Sequence, residues 1–157
     1  MQELLHDSGQ AVCPFSLVST GFFLTQDYHI EKPSIGEMAM TRDEARNLAN
    51  DWVAAWNSHD LDSIMTHYED GVELTSPAAA QLLGTSDGKV AGKANLRAYF
   101  QRGLEAYPEL HFRLEDVLWG VNSVVLYYAN QKGTHTGEFM ELSANGKIAR
   151  VVANYSA

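Results

Sequence analysis

The chain has 157 residues, 45% of them hydrophobic and 20% charged, which is the size and make-up of one globular domain with one core. Its formal net charge is −9, and its Lys and Arg residues do not cluster. An acidic surface repels phosphate backbones and anionic lipid, so neither nucleic acid nor a membrane surface is an expected partner.

A single cysteine, Cys13, leaves no partner for an intramolecular disulfide and fits a reducing compartment. No apolar run approaches the length of a membrane span. Glu3 and Asp7, with no Lys or Arg, precede the first apolar patch, unlike a signal peptide. The expectation is a soluble, cytoplasmic protein.

Residues 1–40 read differently from the rest. The apolar stretch 12–24 lacks clean alternation, and Pro14, Gly21, Pro33 and Gly36 break up the segment as a whole. We read this segment as an N-terminal extension whose first methionine need not be the native start, given Met38 and Met40. An added arm packing on a partner subunit is the other reading.

Thr41 opens the domain expected over 41–157. With Glu44 three residues on it forms a capping box, and Ala45, Leu48, Ala49, Trp52, Val53 and Trp56 recur at helical spacing. Asn57-Ser58-His59 ends that helix. Asp60 caps a second helix with Leu61, Ile64, Met65 and Tyr68 inward, and Gly71 stops it. Val72, Leu74 and Ser76 then share one face of a strand that Pro77 terminates.

A loop with an Asp87-Gly88 turn is expected next, then a third helix from about Lys93 to Ala106 with Leu96, Tyr99, Phe100 and Leu104 on its apolar stripe. The remainder alternates with period two. Leu110, Phe112 and Leu114 oppose His111, Arg113 and Glu115. The phase shifts near Glu115-Asp116, where Val117 and Trp119 join the His111 side, and a β-bulge accounts for it. Turns at 120–122, Gly133 and Asn145-Gly146 separate strands at 124–129, 134–142 and 147–155.

This order is α+β, with helices gathered on one face of a mainly antiparallel sheet. The strand Val124–Ala129 is apolar on both faces, so its second face needs cover too. A homodimer through the sheet is the simplest cover.

The stretch VAAWNSHDLDSIMTHYEDGVELTSP, the helix KANLRAYF, the strand GTHTGEFMEL and the closing NGKIARVVANY together resemble the nuclear-transport-factor-2-like superfamily, and SnoaL-like proteins in particular. The resemblance covers about Thr41 to Tyr155. It implies a cone-shaped, cystatin-like α+β barrel: three helices packed on a curved sheet with a pocket between them. SnoaL-like polyketide cyclases, ketosteroid isomerases, scytalone dehydratase and limonene epoxide hydrolase share that fold, so the fold alone does not select a reaction.

Residues 51–77 align without a gap with the ketosteroid isomerases. Where those enzymes carry a general-base aspartate this chain has Ser76, and where they carry an oxyanion-hole tyrosine it has Trp52. Their second, protonated donor falls on Glu138. Serine is no unassisted base near neutral pH and tryptophan donates only through its indole N–H, so the resemblance argues against ketosteroid isomerase chemistry.

Glu138 is the candidate catalytic residue. Among Tyr128, Phe139 and Met140 its carboxyl would sit in a low dielectric with a raised pKa, fit to act as acid, base or neutral donor. The competing assignment is a solvent-facing glutamate, or one paired with Arg150. Trp52, Tyr68, Ser76, Tyr99 and Tyr128 are the expected pocket residues, with Tyr68 and Tyr128 orienting a carbonyl or hydroxyl. Trp56 reads as core.

Other motifs carry less. His67, His111 and His135 are each readable as surface histidines, and alternation sets His135 and Glu138 on opposite faces. Asp60 and Asp62 are explained by helix capping and the helix dipole. Gly84-Thr85-Ser86-Asp87-Gly88 matches G-x-S-x-G but lacks the strand–turn–helix setting of a nucleophile elbow. The Asn154-Tyr155-Ser156 sequon has no secretory route. No metal-binding pattern and no phosphate-binding glycine loop is complete, so no metal and no cofactor is expected.

The expected function is SnoaL-like: binding of a small, apolar, oxygenated molecule in the cone, with cofactor-free isomerase, cyclase or dehydratase chemistry. The alternative is a non-catalytic ligand-binding or dimerisation module.

Overall fold

The computed structural model describes residues 39–156. The expected extension therefore lies outside the described residues, apart from its last two.

Helix α1 (Arg42–Asn57) begins with the capping box read from the sequence. The Thr41 hydroxyl accepts the Glu44 N–H at 3.3 Å, and the Glu44 carboxylate accepts the Thr41 N–H at 2.7 Å. Its buried stripe is Ala45, Ala49, Trp52, Ala55 and Trp56. Helix α2 (Leu61–Met65) is capped by Asp60, whose carboxylate accepts the N–H groups of Asp62 and Ser63.

The next segment departs from expectation. Tyr68 is not the last inward residue of α2 but the first residue of strand β1 (Tyr68–Thr75), and Gly71 lies within that strand. The helical spacing of Tyr68 is real, but pairing to the last strand overrides it. Tyr68 registers with Ile148, and the Ile148 N–H donates to the His67 carbonyl at 2.8 Å.

The expected loop after Pro77 is also corrected. It folds into helix α3 (Pro77–Leu83) and a short strand β2 (Lys89–Ala91). Ser76 caps α3 by accepting the Ala78 N–H at 3.1 Å, and Pro77 fits the first helical turn, where its missing N–H costs nothing. Gly84 ends α3 in the left-handed conformation, at φ 69°. The proline that stops the strand thus starts a helix, giving four helices among the described residues where three were expected.

Helix α4 (Lys93–Ala106) has the predicted bounds. Strands β3 (Phe112–Trp119), β4 (Ser123–Asn130), β5 (His135–Leu142) and β6 (Ile148–Tyr155) follow. The bulge near Glu115 is present as a register shift between Leu114 and Asp116, and it returns Val117 to the buried side while Trp119 stays exposed. The six strands form one curved, unclosed sheet in the order β2-β1-β6-β5-β4-β3. All pairs are antiparallel except β1 with β6.

Helix α1 packs on β3 and α4 packs on β1, so the helices lie on one face of the sheet. The core between them holds Ile64, Leu96, Val124, Leu126, Met140 and Val151. No helix among the described residues is long and apolar enough to cross a membrane.

Candidate functional site

Two rows of side chains cross the inner face of the sheet where it opens between α1, α3 and α4. Strand register defines them. Leu126, Glu138 and Ala153 are direct neighbours on β4, β5 and β6, and Ser76 continues the β1 register beside Ala153. In the adjacent row Leu114, Tyr128, Thr136 and Tyr155 are neighbours on β3 to β6. Period-two alternation turns all of these inward.

Ser76, Ala153 and Glu138 of the first row and Tyr128, Thr136 and Tyr155 of the second floor a cavity of about 520 Å³, within the range of small-molecule sites. Trp52, Trp56, Phe100 and Phe112 supply its aromatic wall, and Leu110, Tyr107 and the β4–β5 turn at 130–132 frame its mouth. Trp52 and Phe112 stack with centroids 5.7 Å apart, and Phe112 meets Tyr128 at 4.6 Å. Phe112 is held by a two-way clamp. Asn57 Nδ2 donates to the Phe112 carbonyl and Asn57 Oδ1 accepts the Phe112 N–H, both at 2.8 Å. The residue that ends α1 therefore sets the first residue of β3 against the cavity.

Glu138 is 6% exposed and lines the cavity. The Tyr128 hydroxyl donates to its Oε2 at 2.5 Å, while Oε1 makes no hydrogen bond among the described residues. No ion pair among the described residues includes it. Arg150, the partner considered from sequence, pairs with Glu141 at 2.9 Å on the opposite face. Burial raises the Glu138 pKa to about 7, opposed in part by the Tyr128 hydrogen bond. The carboxyl is thus half-ionised near neutrality. Burial, then the Glu138 charge, push Tyr128 well above the ordinary phenol range, so it stays a donor.

Tyr68 takes a different place from the one expected. It does not line the cavity but stands behind Trp52, whose indole N–H donates to its hydroxyl at 2.9 Å. Trp52 does line the cavity, with its N–H already engaged. Trp56, read as core, lines the cavity as well, and its buried indole N–H has no hydrogen-bond partner among the described residues. Tyr99 and Ser76 lie on the wall, and Tyr155, which the sequence reading passed over, joins them. Its hydroxyl is 3.3 Å from Ser76 Oγ.

The described histidines stay out of the site. His135 pairs with Glu115 at 3.2 Å and stacks on Tyr127 across the sheet from Glu138. Among the described residues no three His, Cys, Asp or Glu side chains come together in a metal-binding group.

Helices laid over one face of a curved six-stranded sheet, with a cavity between, define the cone-shaped architecture of nuclear-transport-factor-2-like proteins. The SnoaL-like domain model matches residues 49–151, and the chain belongs to that family. It is 34% identical to a SnoaL-like protein of unknown function from Burkholderia thailandensis, covering 76% of this chain and 99% of that one at a TM-score of 0.73. A protein of unknown function with a cystatin-like fold from Methylobium petroleophilum is 13% identical, over 76% of this chain and 80% of that one, at a TM-score of 0.61. SalBIII, an epoxide hydrolase/cyclase-like enzyme in pyran ring formation in the polyether salinomycin, is 16% identical, over 73% and 92%, at a TM-score of 0.57. The last two likenesses are of fold. No curated protein matches the chain.

Proposed function

We propose that this SnoaL-like protein is a cofactor-independent enzyme that binds a small, apolar, oxygenated molecule and moves a proton on it through Glu138. The observation that carries this reading is a buried carboxyl on the wall of an aromatic cavity, with one oxygen fixed by Tyr128 and, among the described residues, no cation beside it and no partner for its other oxygen. A pKa of about 7 suits both halves of an acid–base cycle: the acid form can protonate a leaving or carbonyl oxygen, and the carboxylate can remove a proton from carbon or hydroxyl. Isomerisation, cyclisation, dehydration and hydration all need such a group. SalBIII, of the same fold, is described as an epoxide hydrolase/cyclase-like enzyme, and ring closure belongs to this class.

In the non-catalytic binding module the same carboxyl would serve only as a buried donor to a ligand oxygen. Mass spectrometry of small molecules released by denaturing the purified protein would identify the ligand class. With that ligand, Glu138→Gln should bind normally and turn over about 10²–10⁴-fold more slowly. Undiminished turnover would remove Glu138 from the mechanism, whereas no turnover of that ligand by the unaltered protein would leave the binding module.

We propose a homodimer through the outer face of the sheet. On that face Tyr127 is 41% exposed, and Val125, Phe139 and Val152 are only half-buried, so apolar surface remains to be covered. Light scattering should give twice the chain mass at micromolar concentration. A monomer there overturns the proposal.

A further inference from the structure

Resting on the reading of Glu138 as the acid–base group, the opposite end of the same cavity bears on which ligand is bound. Ser76 is 2% exposed, at the top of β1, and its side chain serves two neighbours. Its oxygen accepts the Ala78 N–H at 3.1 Å and lies 3.3 Å from the Tyr155 hydroxyl. Tyr99 lines the same cavity, and burial and then Tyr155 push its phenol upward, with Ser76 pulling it partly back. Three hydroxyls from β1, α4 and β6 thus gather on one wall.

Proton bookkeeping shows what this cluster offers. Each hydroxyl carries one donor proton. The one hydrogen bond among the three, between Ser76 and Tyr155, uses one proton, and two are left over. Among the described residues no cation and no carboxylate sits among the three, so the spare protons have no charged acceptor there. Both phenols line the cavity, and burial raises both. They remain neutral donors throughout the range in which Glu138 titrates.

Geometry separates this cluster from Glu138. Ser76 and Glu138 share a row, with β6 between them, so their backbones lie two strand spacings apart, about 10 Å. The intervening residue is Ala153, whose side chain is too short to fill the gap, and it lines the cavity. An apolar floor one methyl high thus runs between a titrating carboxyl and a hydroxyl donor.

We propose that the cavity recognises ligands carrying two oxygen functions at opposite ends of a rigid apolar frame, one at Glu138 and the other, a carbonyl or ether oxygen, accepting a hydrogen bond from the Ser76–Tyr99–Tyr155 cluster. The cluster positions and selects the substrate, while Glu138 carries the proton. A one-oxygen compound of the same shape leaves a buried donor unpaired and binds less well.

A matched pair of fluorescent probes tests this: 6-acetyl-2-naphthol, and 6-ethyl-2-naphthol, in which a methylene replaces the carbonyl. The full-length protein should bind the ketone about tenfold more tightly, the effect of one hydrogen bond. In Tyr99→Phe/Tyr155→Phe that ratio should fall below about twofold. Tyr155→Phe alone, at a half-exposed residue, should lower it as well and covers the case in which the double variant does not fold. A ratio near one in the unaltered protein, or a tenfold ratio that survives both variants, overturns the proposal. The ratio is read by binding alone, so loss of the Glu138 role in the turnover assay leaves this test standing.

Discussion

The Tyr128 hydroxyl donates to Glu138 Oε2 at 2.5 Å, and both side chains are buried on neighbouring strands. Tyr128 opposes what burial does to the carboxyl, so Tyr128→Phe should move the Glu138 pKa further up from about 7. Titration of the carboxyl stretch by infrared difference spectroscopy, or the acid limb of the rate profile, reads this directly. A fall, or no change, would mean that the hydrogen bond does not favour the ionised form.

The same carboxyl makes stability depend on pH. The folded-state pKa is raised above the ordinary 4.5 to about 7, so the folded state holds a proton that the unfolded chain has released between these values. The stabilising contribution is full below about 4.5 and is lost as pH rises through about 7. The whole effect is on the order of 3 kcal/mol. Urea unfolding of wild type and Glu138→Gln should show similar stability near pH 4.5 and a more stable variant at pH 8. Parallel curves over this range would place the carboxyl in water.

Gly88 ties α3 to the site. Its carbonyl accepts the Ser76 N–H at 3.0 Å, it sits at φ 60°, and an added Cβ would collide with the Ser76 carbonyl oxygen. Asp87 holds the same turn by accepting the Lys89 N–H at 3.2 Å. Gly88→Ala should therefore destabilise the protein by about 1–3 kcal/mol and displace Ser76. Thermal melts check the first effect, and the naphthol ratio above checks the second. An alanine variant with wild-type stability and ratio would show that the loop yields freely.

Local signals were the legible ones. The Thr41 capping box, the Asp60 cap, the bounds of α4, the bulge before Val117 and the Asn145-Gly146 turn each depend on residues within a few positions of one another, and a sequence displays such neighbours. Glu138 was placed in the pocket through its likeness to the protonated donor of the ketosteroid isomerases, and the strand's burial pattern sets Met140 and Leu142 on the same inward face. Non-local relationships stayed hidden. The parallel pairing that draws Tyr68 out of α2 comes from β6, 80 residues on. Tyr155 meets Ser76 across 79 positions, and nothing near either residue announces it. Helix α3 was an exception, since Ser76-Pro77 and Gly84 mark its two ends. The proline was read as a strand stop alone.

Asn57 illustrates how a residue that only terminates a helix in the sequence can shape the cavity. Its amide makes two hydrogen bonds of 2.8 Å to Phe112, and His59, at φ 56° just beyond, reaches the Leu110 carbonyl at 2.7 Å through its imidazole. Both anchored residues belong to the cavity wall. Asn57→Ala removes a donor and an acceptor together and frees the start of β3, an edge strand with only β4 beside it. The expected cost is about 1–3 kcal/mol. Asn57→Asp keeps the acceptor for the Phe112 N–H and should cost less. Because Phe112 stacks on Trp52, the alanine variant should also change Trp fluorescence and weaken binding of both naphthols alike, leaving their ratio intact. Urea midpoints that match wild type would show that packing against Trp52 holds Phe112 without the clamp.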